Sequence, residues 1–256
     1  MINNTTLFRP DSDPSEWSSS APSADDVRLT STSETEITVS ACSTLVGARN
    51  LKELLVTEKE ENSKVGVLNF ASAKNPGGGF IGGAQAQEES IARSSAIYPA
   101  LISKTGQPFF KLHRKDPKEG YYSHAMLYIP RVLFFRSDQG DWLPPIEVDI
   151  VSSAAVNAGV SQLEAAMKER IARILYLFER NDVRNVVLGS FGTGVFRNRV
   201  ELVAGIWREL LVGPNARFGR SFDRVVFAVL GSSTYKVFED TFSTATSRAK
   251  TMKEKL

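Results

Sequence analysis

Apolar residues along the chain fall into short continuous runs and into runs at helical spacing. Short runs rich in β-branched residues predict strands at EITVSA (36–41), VGVLNF (65–70), AMLYI (125–129), VLFFR (132–136), IEVDIV (146–151), NVVLGSF (185–191) and RVVFAVL (224–230). Apolar positions three and four residues apart predict helices at 44–56, 88–102, 161–181, 200–211 and from 235 onward. Strands interleaved with helices indicate an α/β layer fold with a largely parallel or mixed sheet.

The N-terminal 28 residues differ from the rest of the chain. They are rich in Ser, Pro, Asp and Asn and show little apolar periodicity. A segment of this composition buries little apolar surface. We therefore expect a flexible or loosely packed arm at 1–28, followed by one folded domain at 29–256, which is long enough to form a core without disulfides or metals.

Composition and charge exclude several classes of protein. The formal net charge is only +2, so we expect no strong direct binding to nucleic acid. Cys42 is the only cysteine, which excludes a disulfide framework within the chain. No apolar run approaches the roughly 20 residues of a membrane span, and the N-terminus lacks the pattern of a signal peptide. We expect a cytoplasmic or nuclear protein without a membrane partner.

A glycine-rich loop, GSFGTGVFRNRVE (189–201), follows one of the predicted strands. Its three glycines allow successive backbone N–H groups to converge on an anion. Asn198 and Glu201 have the spacing of a helix cap, and a helix N-terminus beside the loop would add partial positive charge. The loop matches neither a Walker A nor a GxGxxG motif. It either holds a phosphate or diphosphate with backbone amides, or is a tight connection without a ligand.

The other glycine-rich stretch, NPGGGFIGGAQAQEES (75–90), comes earlier in the chain and follows the strand predicted at 65–70. We call this stretch the first glycine loop and 189–201 the second glycine loop. Three consecutive glycines allow close backbone approach, and Glu88 and Glu89 fall at the start of the next helix. These carboxylates are either favourable N-terminal charges or functional groups; the adjacent Gln87 and the glycine-rich loop favour the second interpretation. Since ligands bind at the carboxyl ends of such strands, both glycine loops could face one crevice.

The spacing Gly-Gly-Gly, seven residues, Gln-Glu-Glu resembles the signature of poly(ADP-ribose) glycohydrolases. LNFASAKNPGGGFIGGAQAQEESIARSSAIY (68–98) resembles the compact microbial type, and VVLGSFGTGVFRN (186–198) resembles that family's diphosphate loop; VLFFRSDQGDW and VDIVSSAAVN match more weakly. Thr193 stands where the family often has Cys, and NRVE replaces the more usual Asn-Asp-Pro. The similarity covers roughly residues 27–230. It implies a macrodomain-like three-layer α/β/α sandwich with a mixed central sheet.

The resemblance also implies a function: a glycohydrolase that cleaves the ribose–ribose O-glycosidic bond of poly(ADP-ribose) and releases ADP-ribose. It implies that Glu89 is the catalytic acid, that Glu88 and Gln87 orient the riboses, and that Phe196 presses on the distal ribose. The implied ligand-binding residues are Asn75, Gly77, Gly78, Gly79, Gln87, Ser190, Phe191, Gly192, Thr193, Gly194, Val195 and Phe196. We expect no cofactor and no metal. The expected partner of this monomeric enzyme is ADP-ribose or poly(ADP-ribose) attached to proteins.

Two other functions fit the same motifs. A reader of ADP-ribose would use the same pocket without turnover, but it would need no acid, so Glu88 and Glu89 favour an enzyme. A hydrolase of mono-ADP-ribose attached to protein or nucleic acid would bind the same terminal unit, and this alternative stays open. His113 and His124 lie in an irregular region, 103–141, and no cluster of His, Asp and Glu has the spacing of metal ligands.

Overall fold

The computed structural model describes residues 2–18, 34–115, 120–158 and 163–253. Within these ranges the strands are β1 (Thr6–Phe8), β2 (Glu36–Ser40), β3 (Val65–Phe70), β4 (Met126–Arg136), β5 (Trp142–Ser153), β6 (Asn185–Leu188) and β7 (Arg224–Ala228). The α-helices are α1 (Thr44–Thr57), α2 (Gln87–Ser94), α3 (Tyr98–Leu101), α4 (Gln107–Arg114), α5 (Leu163–Arg180), α6 (Val200–Leu211) and α7 (Ser232–Lys253). None of these helices is both long and apolar enough to cross a membrane.

The strands form one mixed sheet in the order β1-β4-β5-β3-β6-β7-β2. The five strands from β5 to β2 run parallel, whereas β4 is antiparallel to β5 and β1 is antiparallel to β4. The predicted mixed sheet is confirmed. Because β3, β6 and β7 are parallel neighbours, the loops after them meet at one edge of the sheet.

Helices cover both faces of the sheet, which confirms the three-layer sandwich. Helices α1 to α4 contribute to the core on one face, and α5 to α7 contribute to the core on the other. In β3, Val67 belongs to the core beneath α1 to α4, and Leu68 belongs to the core beneath α5 to α7. Side chains alternate between the faces of a strand, so a strand buried on both faces needs a continuous apolar run.

The single helix predicted at 88–102 is wrong. Helix α2 ends at Ser94, and Ser95 is extended and forms an isolated β-bridge with Phe134 before α3 begins. The Ser95 hydroxyl donates a hydrogen bond to the carbonyl of Ile91 (2.7 Å) and completes the last turn of α2. Pro99 lies in the first turn of α3, where its missing N–H costs no hydrogen bond, so the apolar run is split between two helices.

The two strands predicted on either side of Pro130 form one strand, β4, with an irregularity between Ile129 and Val132. Arg131 adopts a φ of +60°, and its N–H donates to the buried carboxylate of Asp149 (2.8 Å). This bulge accommodates the proline without ending the strand. The region predicted as irregular, 103–141, also contains α4, which begins with Pro108 in its first turn.

The first part of the N-terminal segment is docked on the domain, which differs from the loosely packed arm expected there. Strand β1 pairs with β4. Trp17 stacks on Phe218, with ring centroids 6.3 Å apart, and its indole N–H donates to the Glu169 carboxylate (2.7 Å). Backbone pairing and one large aromatic ring are enough to hold a segment of polar composition. Residues 19–28 lie outside the described residues, where the expectation stays a prediction.

Deleting residues 1–17 is expected to lower the free energy of unfolding by about 3 kcal/mol, on the scale of losing one large aromatic contact. The deletion exposes the edge of β4 and one face of Phe218. Urea unfolding of the truncated and full-length chains measures the difference. Trp17→Phe is the control, because it keeps the ring contact and loses only the indole hydrogen bond. A difference below about 1 kcal/mol between truncated and full-length chains would contradict this prediction.

Candidate active site

A cleft of about 540 Å³ opens where the loops after β3 and β6 meet. Every site residue expected from the sequence lines this cleft except Gly77. The two glycine loops therefore face each other across one crevice, as the order of the parallel strands requires. The first loop contributes two carboxyl groups, and the second contributes backbone amides.

Glu89 is held by the backbone of the first glycine loop. One oxygen of its carboxylate, Oε1, accepts a hydrogen bond from the N–H of Gly79 (2.9 Å), and the other, Oε2, accepts one from Ala86 (3.2 Å). Glu89 is 9% exposed and lines the cleft. The carboxylate thus has a fixed orientation and still reaches the space that a ligand would occupy.

Gly78 shows why the first glycine loop needs a residue without a side chain. Its φ is +60°, and a Cβ at this position would lie 2.1 Å from Oε1 of Glu89 and 3.2 Å from Oε2 of Glu88. Only glycine lets the backbone pass this close to both carboxyl groups. Gly77 has a different place: with a φ of +69°, it packs against the ring of Phe80 and makes the turn instead of lining the cleft.

Glu88 is more deeply buried, at 3% exposure. Its Oε2 accepts a hydrogen bond from the N–H of Ser72 (2.6 Å), and its Oε1 accepts one from the amide of Asn69 (3.3 Å). Burial raises the pKa of Glu88 to about 8, and the negative charge of Glu89 adds to this rise, although the hydrogen bonds from Ser72 and Asn69 lower it. The carboxyl group of Glu88 therefore carries a proton at neutral pH.

Gln87 ties the start of α2 to the sheet. Its Oε1 accepts a hydrogen bond from the N–H of Phe70 (2.9 Å), and its Nε2 donates to the carbonyl of Leu68 (2.7 Å) and to the hydroxyl of Thr44 (3.2 Å). These contacts connect α2 with the end of β3 and with α1. Gln87 thereby positions the two carboxyl groups that follow it.

Gly192 and Gly194, two of the three glycines of the second glycine loop, have different surroundings. Gly192 has a φ of +77°, and a Cβ there would lie 2.5 Å from the Cβ of Ala155 and 2.7 Å from Nδ2 of Asn198. Among the described residues, no atom beyond those of its chain neighbours lies within 4 Å of the Cβ position of Gly194. The fold therefore requires glycine at 192, whereas at 194 a side chain would enter open space at the cleft.

Asn198 does not cap α6, so that prediction is wrong. The N-cap is Arg199, which makes no side-chain capping bond. The buried amide of Asn198 instead donates to the carbonyls of Val156 (2.8 Å) and Gly192 (2.9 Å). It thereby braces the second glycine loop against the chain that leaves β5, because one amide nitrogen can serve two carbonyls.

The two phenylalanines of this loop also differ. Phe191 is fully buried and packs edge-on against Phe70, with ring centroids 5.7 Å apart. Phe196 is half-buried and packs edge-on against Tyr122, also at 5.7 Å. Phe191 is mainly a core residue, and Phe196 presents a supported ring to the cleft.

The two histidines lie away from the cleft. His113 is fully buried and packs edge-on against Phe109 at 4.4 Å. His124 accepts a hydrogen bond from Arg170 (3.4 Å), and burial together with that guanidinium lowers the pKa of His124 to about 3. In the part of the chain that the structure describes, no three His, Cys, Asp or Glu side chains are grouped as metal ligands would be.

Several residues of the cleft were missed from the sequence. Ser72 lies two residues after β3, Leu230 lies two residues after β7, and Thr234 lies in the first turn of α7. Leu230 is 67% exposed despite its apolar side chain. Their positions just beyond parallel strands were the available signal, since this edge of the sheet is where ligands bind. Their residue types gave no signal, because single Ser, Leu and Thr residues form no distinctive pattern.

Comparison with known proteins places these features in a family. Residues 1–137 match the family model described as the catalytic domain of microbial-type PARG, the poly(ADP-ribose) glycohydrolases. A search of the curated proteins finds no match.

Solved structures match nearly the whole chain. The poly(ADP-ribose) glycohydrolase from Deinococcus radiodurans in complex with ADP-ribose is 34% identical, with a TM-score of 0.83, and the match covers 95% of this chain and 96% of that one. The enzyme from Thermomonospora curvata is 32% identical, with a TM-score of 0.82, over 94% of this chain and 86% of that one. The same enzyme bound to the inhibitor ADP-HPD is 31% identical, with a TM-score of 0.79 and the same coverage.

Proposed function

Since the chain belongs to the microbial-type poly(ADP-ribose) glycohydrolase family, we propose that it hydrolyses the ribose–ribose O-glycosidic bond of poly(ADP-ribose) and releases ADP-ribose. One observation carries the proposal. The buried carboxyl groups of Glu88 and Glu89 lie under the first glycine loop, across the cleft from a second loop that suits a diphosphate.

In this proposal the terminal ADP-ribose unit spans the cleft. Its diphosphate lies on the backbone amides of residues 190–196, where the N-terminal end of α6 adds partial positive charge. The distal ribose lies between Asn75 and the ring of Phe196, beside the carboxyl groups. The adenosine extends toward Leu230 and Thr234, which also line the cleft.

Glu89 acts as the acid. A ribose hydroxyl is a poor leaving group, so Glu89 protonates the oxygen of the glycosidic bond as the bond to the distal ribose breaks. Water then adds to the anomeric carbon of that ribose, and the carboxylate of Glu89 takes the proton that the water releases. The negative charge of the bound diphosphate favours the protonated form of a nearby carboxyl group. The neutral carboxyl group of Glu88 can donate a hydrogen bond to a ribose hydroxyl.

Product analysis tests this function. The purified protein is incubated in parallel with poly(ADP-ribose) and with a mono-ADP-ribosylated protein. Release of ADP-ribose from the polymer supports the proposal, whereas release only from the mono-modified protein would indicate the alternative hydrolase. Binding of ADP-ribose by calorimetry without release from either substrate would make the protein a reader. Inhibition by EDTA that Mg²⁺ reverses would add a metal to the mechanism, because amides alone need none to hold a diphosphate.

Gly194→Val is expected to weaken ADP-ribose binding by about tenfold, which is about 1.4 kcal/mol, without changing the melting temperature. In the part of the chain that the structure describes, the valine meets no atom beyond its chain neighbours. It nevertheless occupies the space through which the diphosphate approaches the amides. Calorimetry and thermal unfolding measure the two quantities.

Gly205→Val is the matched control for this substitution. Gly205 lies on α6, and no other segment of the described chain comes within 4 Å of its Cβ position. It does not line the cleft. Unchanged ADP-ribose affinity in Gly194→Val would show that the diphosphate does not bind to this loop. A fall in affinity of equal size in both variants would mean that the loss is not specific to the cleft.

A further inference from the structure

We infer that the chain has a second anion-binding surface, which holds the pyrophosphate groups of the polymer units behind the terminal one. This surface, the cationic rim, consists of Lys74, Arg93 and Arg114. The inference rests on the proposed function, because only a polymer continues as a charged chain beyond the bond that Glu89 cleaves.

The rim lies at the two ends of the first glycine loop. Nε of Arg114 donates a hydrogen bond to the carbonyl of Lys74 (2.9 Å), where the loop begins. Nη1 of Arg93 donates to the carbonyl of Ala84 (2.6 Å), near the end of the loop. The backbone between these two contacts passes over the carboxylate of Glu89. Both guanidinium groups are therefore attached to the loop that covers the proposed acid.

The charges of the rim have no anionic partner in the described ranges. All three residues are exposed, and none has a carboxylate within 4 Å there, unlike the exposed cations Arg131 and Lys236, which form ion pairs. Each arginine uses one N–H on the loop, and its other guanidinium N–H groups make no hydrogen bond among the described residues. Exposed cations beside a cleft attract an anionic chain and steer its approach.

The chemistry of the reaction sets the direction of that chain. Glu89 must face the oxygen of the leaving group, while the diphosphate of the terminal unit lies on the opposite loop. The leaving chain therefore departs on the side of the first glycine loop, where residues 81–86 are all exposed. Each unit of this chain carries a doubly charged pyrophosphate. The rim is the cationic surface that such a chain meets first.

Two properties follow from this arrangement. The rim strengthens binding of the polymer without strengthening binding of free ADP-ribose, because ADP-ribose has no chain on the leaving side. The advantage also declines with ionic strength, because salt screens exposed charges.

Lys74→Glu tests the rim with the least disturbance, because no hydrogen bond of its ammonium group occurs among the described residues and the side chain is exposed. We expect kcat/KM for long poly(ADP-ribose) to fall about fivefold at low salt, while the dissociation constant of ADP-ribose changes less than about twofold. In 0.5 M NaCl the loss should shrink below about twofold. Lys59→Glu is the matched control, because Lys59 is exposed, lies between α1 and β3 and does not line the cleft.

Two substitutions of Arg114 distinguish the effect of its charge from its structural support of the loop. Arg114→Lys keeps the charge and is expected to retain most of the polymer activity, whereas Arg114→Gln loses the charge and is expected to behave like Lys74→Glu. If both Arg114 variants lose polymer hydrolysis and ADP-ribose affinity equally, Arg114 only supports the loop and the rim is overturned.

The remaining outcomes distinguish the rim from the function on which it rests. If the wild-type chain releases no ADP-ribose from polymer, the proposed function fails and the rim fails with it. If the wild type is active and Lys74→Glu matches it at low salt, the rim alone is wrong. If Lys74→Glu loses affinity for single-stranded RNA but hydrolyses polymer normally, the surface binds nucleic acid and the proposal is overturned.

Discussion

Glu89→Gln is expected to lower kcat for poly(ADP-ribose) hydrolysis by about 10²–10⁴-fold, the range typical of losing a general acid, while ADP-ribose affinity changes less than about threefold. Glutamine keeps the shape of the side chain and one of the two hydrogen bonds that the backbone N–H groups of Gly79 and Ala86 donate to Glu89. It cannot deliver a proton. The diphosphate and adenosine contacts lie elsewhere in the cleft, so binding survives. Single-turnover kinetics and calorimetry measure the two effects.

Glu88→Gln is the matched variant for this prediction. If Glu89→Gln turns over like the wild type and Glu88→Gln is inactive, the acid is Glu88, the carboxyl group whose pKa is raised to about 8. If both variants remain fully active, the two carboxyl groups are only charges at the start of α2, and the enzymatic assignment of this cleft falls.

Glu88→Gln is also expected to remove a loss of stability that the wild type undergoes as pH rises. The folded pKa of Glu88 is about 8, above its ordinary value of 4.5, so between these pH values the folded chain holds a proton that the unfolded chain has released. The contribution of Glu88 to stability therefore falls as pH rises through this window and is constant outside it. At about 1.4 kcal/mol for each pH unit, the loss amounts to about 5 kcal/mol between pH 4.5 and 8.

The measurement is urea unfolding of the wild type and Glu88→Gln at intervals from pH 5 to 9. Other groups titrate in both chains, so the difference between the chains isolates Glu88. The variant should gain stability relative to the wild type up to about pH 8 and no further. Glu61→Gln, at an exposed position after α1, controls for the change in net charge. A difference between Glu88→Gln and the wild type that stays constant across the whole range would show that Glu88 does not hold this proton.

Elements whose side chains follow one simple rule were predictable from the sequence. The apolar run of β3 reflects a strand buried on both faces, and the apolar spacing of α1 and α6 reflects helices with one buried side. These patterns depend on the period of the local backbone, which the neighbouring residues carry. The two glycine loops were also recognisable as a site, because each follows a predicted strand of one sheet.

The geometry of the site depended on residues far apart in the chain. Asn198 has the spacing of a helix cap but braces Val156, 42 positions away. Gly78 is required because the carboxylate of Glu89 lies against it, and burial in the assembled sandwich raises the pKa of Glu88. The order of the strands decides these contacts and the burial of Glu88. The sequence alone therefore determined the layers, the two loops and the types of their functional groups. The tertiary structure alone decided which atoms meet and which carboxyl group keeps its proton, because burial and hydrogen bonding between distant segments exist only once the sheet is assembled.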